Sequence, residues 1–462
     1  MRRLWRRTGA VLAVFLAQSL CVAQTETPRS TLQSNNAPSP TATAEQVRSE
    51  FLHAWNGYKQ YAWGHDELLP LSRGYRDWYG TSLYMTPVDS LDTMVLMGLT
   101  KEADEARELI VNRLSFDQDV EVKNFEITIR LLGGLLSSYQ LTGDKRLLNL
   151  AEDLGNRLLP AFNSPTGMPY MYVNLKTGKT RGAETNPAEI GTLLIEFGTL
   201  SKLTGKPVFY DKAKRALVEL YTRRSKIGLV GSAINVETGR WTNTTSHISG
   251  GIDSYYEYLL KAWLLFDDPD CERMWKTSVG AVNKYLADNL KGGLWYARVD
   301  MNTGKRNARR YGALDAFFPA VLARSGDLDR ARRLQESSYK MWTAFGIEPE
   351  ELDYGKLKII YDGYHLRPEI MESSYYLYFY TRDPRYREMS ATFFNDLRRA
   401  CRTDAGYAAL TNVSTRQQTD RMESYFLAET LKYLYLTFAP RETLNLDKVV
   451  FNTEAHPIRK TW

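Results

Sequence analysis

Carboxylate side chains recur in this chain where the surrounding sequence is otherwise apolar or aromatic. Glu369 and Glu372 stand three residues apart, on one face of any helix that begins near Pro368. Arg367 precedes the proline, where the backbone is pushed extended, so the spacing predicts a helix from Pro368 or just after it. The continuation from Tyr375 to Tyr380 reads as buried. Glu126 and Arg130 pair at i,i+4 in another apolar stretch, Asp253 and Glu257 in a third, and Glu429 falls in the aromatic run after Arg421. One such cluster is an ordinary ion pair or a helix start favoured by the dipole. Four are harder to explain by packing, because each buried charge costs several kcal/mol unless it is compensated.

A ring of carboxylates with few histidines suits two chemistries. One is glycosidic bond hydrolysis by a pair of acids; the other is binding of a hard cation. The five histidines, at 53, 65, 247, 365 and 456, have no ligand spacing, which disfavours transition-metal catalysis. No nucleophile elbow, P-loop or dinucleotide glycine motif occurs where it would be needed.

The elements that must position these acids follow from recurring breaks. Turns are expected at Thr100-Lys101, Thr142-Gly143-Asp144, Thr204-Gly205-Lys206, Asp267-Asp268-Pro269, Ser325-Gly326-Asp327 and Thr381-Arg382-Asp383-Pro384. Each follows an apolar segment and precedes an amphipathic one. Residues 126–141 are nearly all apolar, for example, whereas Leu147, Leu148, Ala151, Leu154 and Leu158 keep helical spacing. Inner and outer helices in alternation, with a closing helix at residues 424–438, predict an all-α protein, a closed (α/α)7 barrel. Weak strand signals at Gly293–Ala297 and Gly228–Gly231 add small β-hairpins at one end.

The address is read from the first residues. Arg2, Arg3, Arg6 and Arg7, an apolar stretch from Ala10 to Leu20 and Cys21-Val22-Ala23 describe a signal peptide over 1–23, and hence a secreted or periplasmic protein. The apolar stretch is too short for a stable membrane span. Residues 24–43 read as a disordered linker, leaving 44–462 as one catalytic domain. The four arginines carry four of the six net positive charges, so the remainder is near neutral and nucleic acid is no partner. Beyond Cys21, Cys271 and Cys401 allow at most one disulfide, and a monomer is expected.

Seven ordered motifs carry a family likeness over roughly residues 45–458: 62–67, 88–93, 125–134, 253–261, 366–373, 423–433 and 451–457. The chain resembles glycoside hydrolase family 47, the class I α-mannosidases. The resemblance implies a calcium-dependent, inverting hydrolase of α1,2-linked mannose in N-glycans or related mannose-containing oligosaccharides. By it, Glu126 matches the general acid, Glu369 the base and Asp253 a third essential carboxylate. Thr453 matches the threonine that binds Ca2+ through its carbonyl and hydroxyl. Glu189, Glu372, Glu429 and Glu454 match acids that hold calcium-bound water or sugar hydroxyls. Arg130 and Arg367 match sugar-site arginines, and Tyr425 an aromatic beneath the sugar.

Two departures point to the quality-control (EDEM) branch of that family. Gly251 stands where the trimming enzymes carry arginine, and Ala313–Phe318 differs from their His-Leu pair. Both put recognition beyond the cleaved sugar in question. The alternative is therefore a glycan-binding quality-control module with little or no turnover. A complete acid set argues against it, since a lectin needs no acid and base together.

Overall fold

Several outer helices start on a side chain that the turn motif itself supplies. In the computed structural model of the protein, which describes residues 41–290 and 292–462, Asp144 accepts from the Arg146 amide at 3.0 Å. Asp268 accepts from the Cys271 amide at 3.0 Å and Asp327 from that of Arg330 at 3.3 Å. Just before these caps stand left-handed residues, Gly143 (φ 75°), Asp267 (φ 53°) and Gly326 (φ 91°). A left-handed stop followed by an aspartate cap turns the chain back within two or three residues. The first break differs from the expectation: the helix already runs from Thr100, and the turn lies at Met97–Leu99.

We number the helices α1 (Ala44–Tyr61), α2 (Met85–Leu96), α3 (Thr100–Arg113), α4 (124–142), α5 (Lys145–Leu158), α6 (187–204, broken at 192–193) and α7 (Pro207–Thr222). The rest are α8 (Asp253–Phe266), α9 (Pro269–Tyr285), α10 (314–324), α11 (Leu328–Phe345), α12 (Glu369–Thr381), α13 (Arg385–Ala400) and α14 (426–438). Even-numbered helices pack in sequence, and α14 returns to α2, closing a ring. They are buried nearly all round, as in α8. Odd-numbered helices bury one stripe, such as Leu147, Ala151, Leu154 and Leu158 of α5. The described residues thus form an (α/α)7 barrel with small antiparallel hairpins. Its seventh pair joins the two ends of the chain, α1 against α14.

Every small sheet but the last lies on a connection leading into an inner helix, so the hairpins share the barrel end where the inner helices begin. Gly293–Tyr296 is a strand, paired with Ala287–Leu290. Gly228–Gly231 is not: Gly228 takes φ 92° and its amide closes a turn onto Ser225 O. Signal peptide, the linker up to residue 40 and Cys21 lie outside the described residues. Cys271 and Cys401 are buried and free, so no disulfide joins them. Among the described residues no helix is long and apolar enough to cross a membrane.

The last hairpin, Val449–Phe451 with Pro457–Arg459, enters the ring from within. Asn452 donates to Ile129 O and to Glu196, both at 2.8 Å. A Cβ on Gly133 would stand 2.5 Å from Asn452 Nδ2, and one on Gly134 2.9 Å from Val88 O, so α4 needs both glycines to admit its neighbours. His456 bridges Asp92 (2.7 Å) and Asp89 (3.1 Å), and Lys432 meets Asp92 at 2.8 Å, all four fully buried. Burial raises the Asp92 carboxyl, but Lys432 and His456 outweigh it and hold it at about 2. Removing one partner of such a network strands a charge, so Lys432→Met should lower unfolding free energy by about 3–5 kcal/mol, read by denaturant titration. A loss below about 1 kcal/mol would mean that the hairpin is anchored elsewhere.

Candidate active site

All eleven residues singled out from the sequence, Glu126, Arg130, Glu189, Asp253, Arg367, Glu369, Glu372, Tyr425, Glu429, Thr453 and Glu454, line one cavity of about 280 Å3. Helix starts deliver most of them. Glu369 is the first residue of α12, Asp253 the first of α8 and Glu126 the third of α4, all at the hairpin end. Arg130 and Glu429 fall inside π-helical turns, Thr128–Leu132 and Phe426–Thr430. Such a widened turn re-aims a side chain at the cost of helix geometry, and it recurs at functional sites. Leu366, at φ 62°, sets Arg367 in place, and Thr430 donates to the Leu366 carbonyl at 2.7 Å. Thr453 and Glu454 come from the tip of the C-terminal hairpin.

Two arginines flank Tyr425. Arg130 bonds Glu126 at 3.0 Å, pairs with Glu454 and lies 3.6 Å from Asp89, with its guanidinium 5.5 Å from the Tyr425 ring and 5.2 Å from Trp78. Arg367 is held by both oxygens of Glu350, at 3.1–3.2 Å, and lies 5.7 Å from the same ring. Tyr425 donates to His365 O at 2.6 Å, which fixes the ring between them.

The cavity wall carries eight acidic residues against three basic ones, Lys123, Arg130 and Arg367. Burial drives the electrostatics, and the surplus of acids adds to it. Desolvation brings Glu369 to about 7 although Arg367 opposes it, with Glu350 and Glu257 adding to the rise. Burial likewise takes Asp253 to about 7, helped by Glu257, Glu369 and Asp315. Glu372 reaches about 8 and Glu189 about 7, both through burial against a nearby lysine, Lys261 and Lys123 respectively. Burial also pushes Glu429 and Glu454 well above the usual carboxylate range.

Some functional residues were not picked out. Glu257, four residues after Asp253, belongs to the wall and pairs with Lys261, which stands 3.8 Å from Glu372. Lys123 lies 2.7 Å from Glu189 and 3.6 Å from Glu126. Its only sequence signal was its place just ahead of an acid-bearing helix. Gly251, at φ 90°, lines the cavity with Asn186 as its nearest side chain, 3.7 Å from an added Cβ, and Leu314 and Phe317 form the adjoining wall.

Donor chemistry decides which metal would fit. Among the described residues no three His, Cys, Asp or Glu converge as direct ligands. What the cavity offers is the Thr453 hydroxyl and carbonyl with a surplus of carboxylates around them, which fits a hard cation held largely through water rather than a caged transition metal.

Comparison with known proteins agrees with this geometry. The profile of glycosyl hydrolase family 47 matches residues 50–460. Alpha-mannosidase I MNS4 of Arabidopsis thaliana is 40% identical over 433 residues, 89% of this chain and 69% of that protein. The human ER degradation-enhancing alpha-mannosidase-like protein 2 is 37% identical over 458 residues, 92% of this chain and 78% of that protein. The human endoplasmic reticulum mannosyl-oligosaccharide 1,2-alpha-mannosidase is 37% identical over 440 residues, 88% of this chain and 62% of that protein. Among solved structures, the alpha-1,2-mannosidase from Trichoderma reesei superposes with TM-score 0.83 at 28% identity, over 90% of this chain and 98% of that one. The chain therefore belongs to glycosyl hydrolase family 47, on the side of its ER degradation-enhancing members, and is a glycoside hydrolase of the α-mannosidase type.

Proposed function

We propose that this α-mannosidase removes α1,2-linked mannose from mannose-rich glycans with inversion, as an exported protein that depends on calcium. The observation that carries the reading is the placing of Glu126 and Glu369 on α4 and α12, helices separated by α2 and α14 on one side of the ring, at the wall of one cavity. Inversion needs two carboxyl groups roughly 6.5–9.5 Å apart, so that water attacks opposite the leaving group. Glu126 protonates the glycosidic oxygen, with Arg130 and Lys123 fixing its carboxyl. Glu369 takes the proton of the attacking water. Its Oε2 has no hydrogen-bond partner among the described residues and so is free to accept one. Asp253 lines the same wall as a third essential carboxylate, and Tyr425 supports the sugar ring while Arg367 orients its hydroxyls. A calcium ion at Thr453, with Glu372, Glu429 and Glu454 holding its waters, would orient sugar hydroxyls and polarise the attacking water.

The test is the first product formed from α1,2-mannobiose by purified, calcium-supplemented protein. Proton NMR should show β-mannose before mutarotation. The α anomer first, or no release from folded protein, would end this reading. A second expectation concerns pH. Because the base must be ionised and Glu369 stands at about 7, kcat/KM should fall about tenfold per pH unit below that value. A limb centred below pH 5 would assign the proton to another group.

A further inference from the structure

The three-stranded sheet beside the active site carries features that hydrolysis of a terminal mannose does not use. Arg310–Gly312 pairs with Glu351–Asp353, which pairs with Lys358–Tyr361. Directly opposed residues share a face. Tyr311 and Leu352, opposed in the register, are fully buried and form the inward face. Arg310, Asp353 and Lys358 are opposed on the outward face, with Tyr361 opposite Glu351 on that same side. Tyr361 is 61% exposed, among the most exposed large side chains of the described residues.

This sheet continues the wall of the active site. Strand Arg310–Gly312 runs on to Leu314, which lines the catalytic cavity, and Glu350, just ahead of the middle strand, clamps Arg367. From Glu350 to Asp353 the strand covers about 10 Å. At that outer end lies an open groove of about 550 Å3, lined by Arg309, Arg310, Lys356 and Lys358 with Asp353 as its one acid. Arg309 is tied to Asp288 at 3.0 Å and Arg310 reaches Glu351 at 3.4 Å, so both guanidiniums are held in place. Lys356 is 3.9 Å from Asp353, and among the described residues Lys358 forms no ion pair. An exposed aromatic next to the catalytic wall and a groove with three surplus positive charges beyond it match a chain that is neutral near the scissile bond and anionic further out.

We propose that this outward face is a distal subsite for an acidic glycan: Tyr361 stacks on a neutral sugar ring, and Arg309, Arg310, Lys356 and Lys358 receive a phosphate or carboxylate substituent. Guanidinium forks suit either anion, and the lysines add charge without geometric demand. The inference rests on the mannosidase reading and deepens it by naming the substrate's far end.

The experiment compares three oligomannosides of equal length, one neutral, one phosphorylated on a distal mannose and one with a distal uronic acid. Wild type is set against Lys356→Glu/Lys358→Glu and Tyr361→Ala. These side chains lie outside the catalytic cavity, so turnover of the neutral glycan by the double variant should match wild type. Its KM for an acidic glycan should rise about tenfold at unchanged kcat, and salt near 0.5 M should erase the wild-type preference. A preference for phosphate over carboxylate, or equal preference, supports the subsite and identifies its anion. If wild type hydrolyses none of the three, calorimetric binding of the same glycans still decides, and the mannosidase reading fails separately. Equal wild-type affinity for neutral and acidic glycans, or a double variant indistinguishable from wild type on acidic ones, overturns the proposal.

Discussion

Glu369→Gln should cut kcat by about 10^3-fold while leaving the Kd for glycan within a few-fold of wild type. The side chain opens α12 at the cavity wall with one oxygen unpartnered, so an amide of the same shape fits without new contacts. What it loses is a lone pair basic enough to take the proton of the attacking water. At about 7 the carboxyl is matched to a neutral reaction, because desolvation outweighs the pull of Arg367. Folding should not suffer, since the substitution removes a carboxylate from a wall already crowded with acids. Single-turnover kinetics and titration calorimetry on the same preparation separate the two quantities. Turnover within about fivefold of wild type would remove Glu369 from the chemistry. Weakened binding with normal turnover would make it a sugar contact instead.

Helical spacing made the acid clusters of the inner helices legible because it maps directly onto contact, whereas Glu189, Tyr425, Thr453 and Glu454 were legible only through the family resemblance. Glu126 and Arg130, four residues apart, do pair, and Thr142-Gly143-Asp144 does end one helix and cap the next. The π-helical turns under Arg130 and Glu429 left no such trace, since both lie in helices whose own sequence reads as regular. Partners drawn from distant segments were equally silent. Glu350 gave no hint of clamping Arg367, and Lys123 none of reaching Glu189. The pairing of α1 with α14 was missed because adjacent helices in the repeat pair with each other, whereas a ring has one pair closed by its two ends. Glu348, fully buried with both carboxylate oxygens unpartnered among the described residues, runs against the local rules that served elsewhere.

Removing calcium should abolish turnover and lower Tm by several degrees, and the gap should widen as pH rises. Among the cavity acids, Glu372 stands at about 8, and Glu429 and Glu454 are pushed well up by burial. In the calcium-free protein the sign is therefore unfavourable. A carboxyl with a raised folded pKa binds more protons folded than unfolded, so stability falls as pH climbs from about 4.5 to about 8. A hard cation near Thr453 would replace those protons, and its affinity should grow across the same window. Bound at about 1,000 times its Kd, it would add about 4 kcal/mol to the unfolding free energy. Thermal unfolding in chelator and in excess calcium, at pH 6 and pH 8, measures the gap without reference to activity. Glu429→Gln should narrow the gap at pH 8, because it removes a carboxyl of the wall that is in no ion pair among the described residues. Identical Tm values in chelator and calcium at both pH values would place the metal elsewhere or nowhere, and would leave protons as the means by which eight acids share one small cavity.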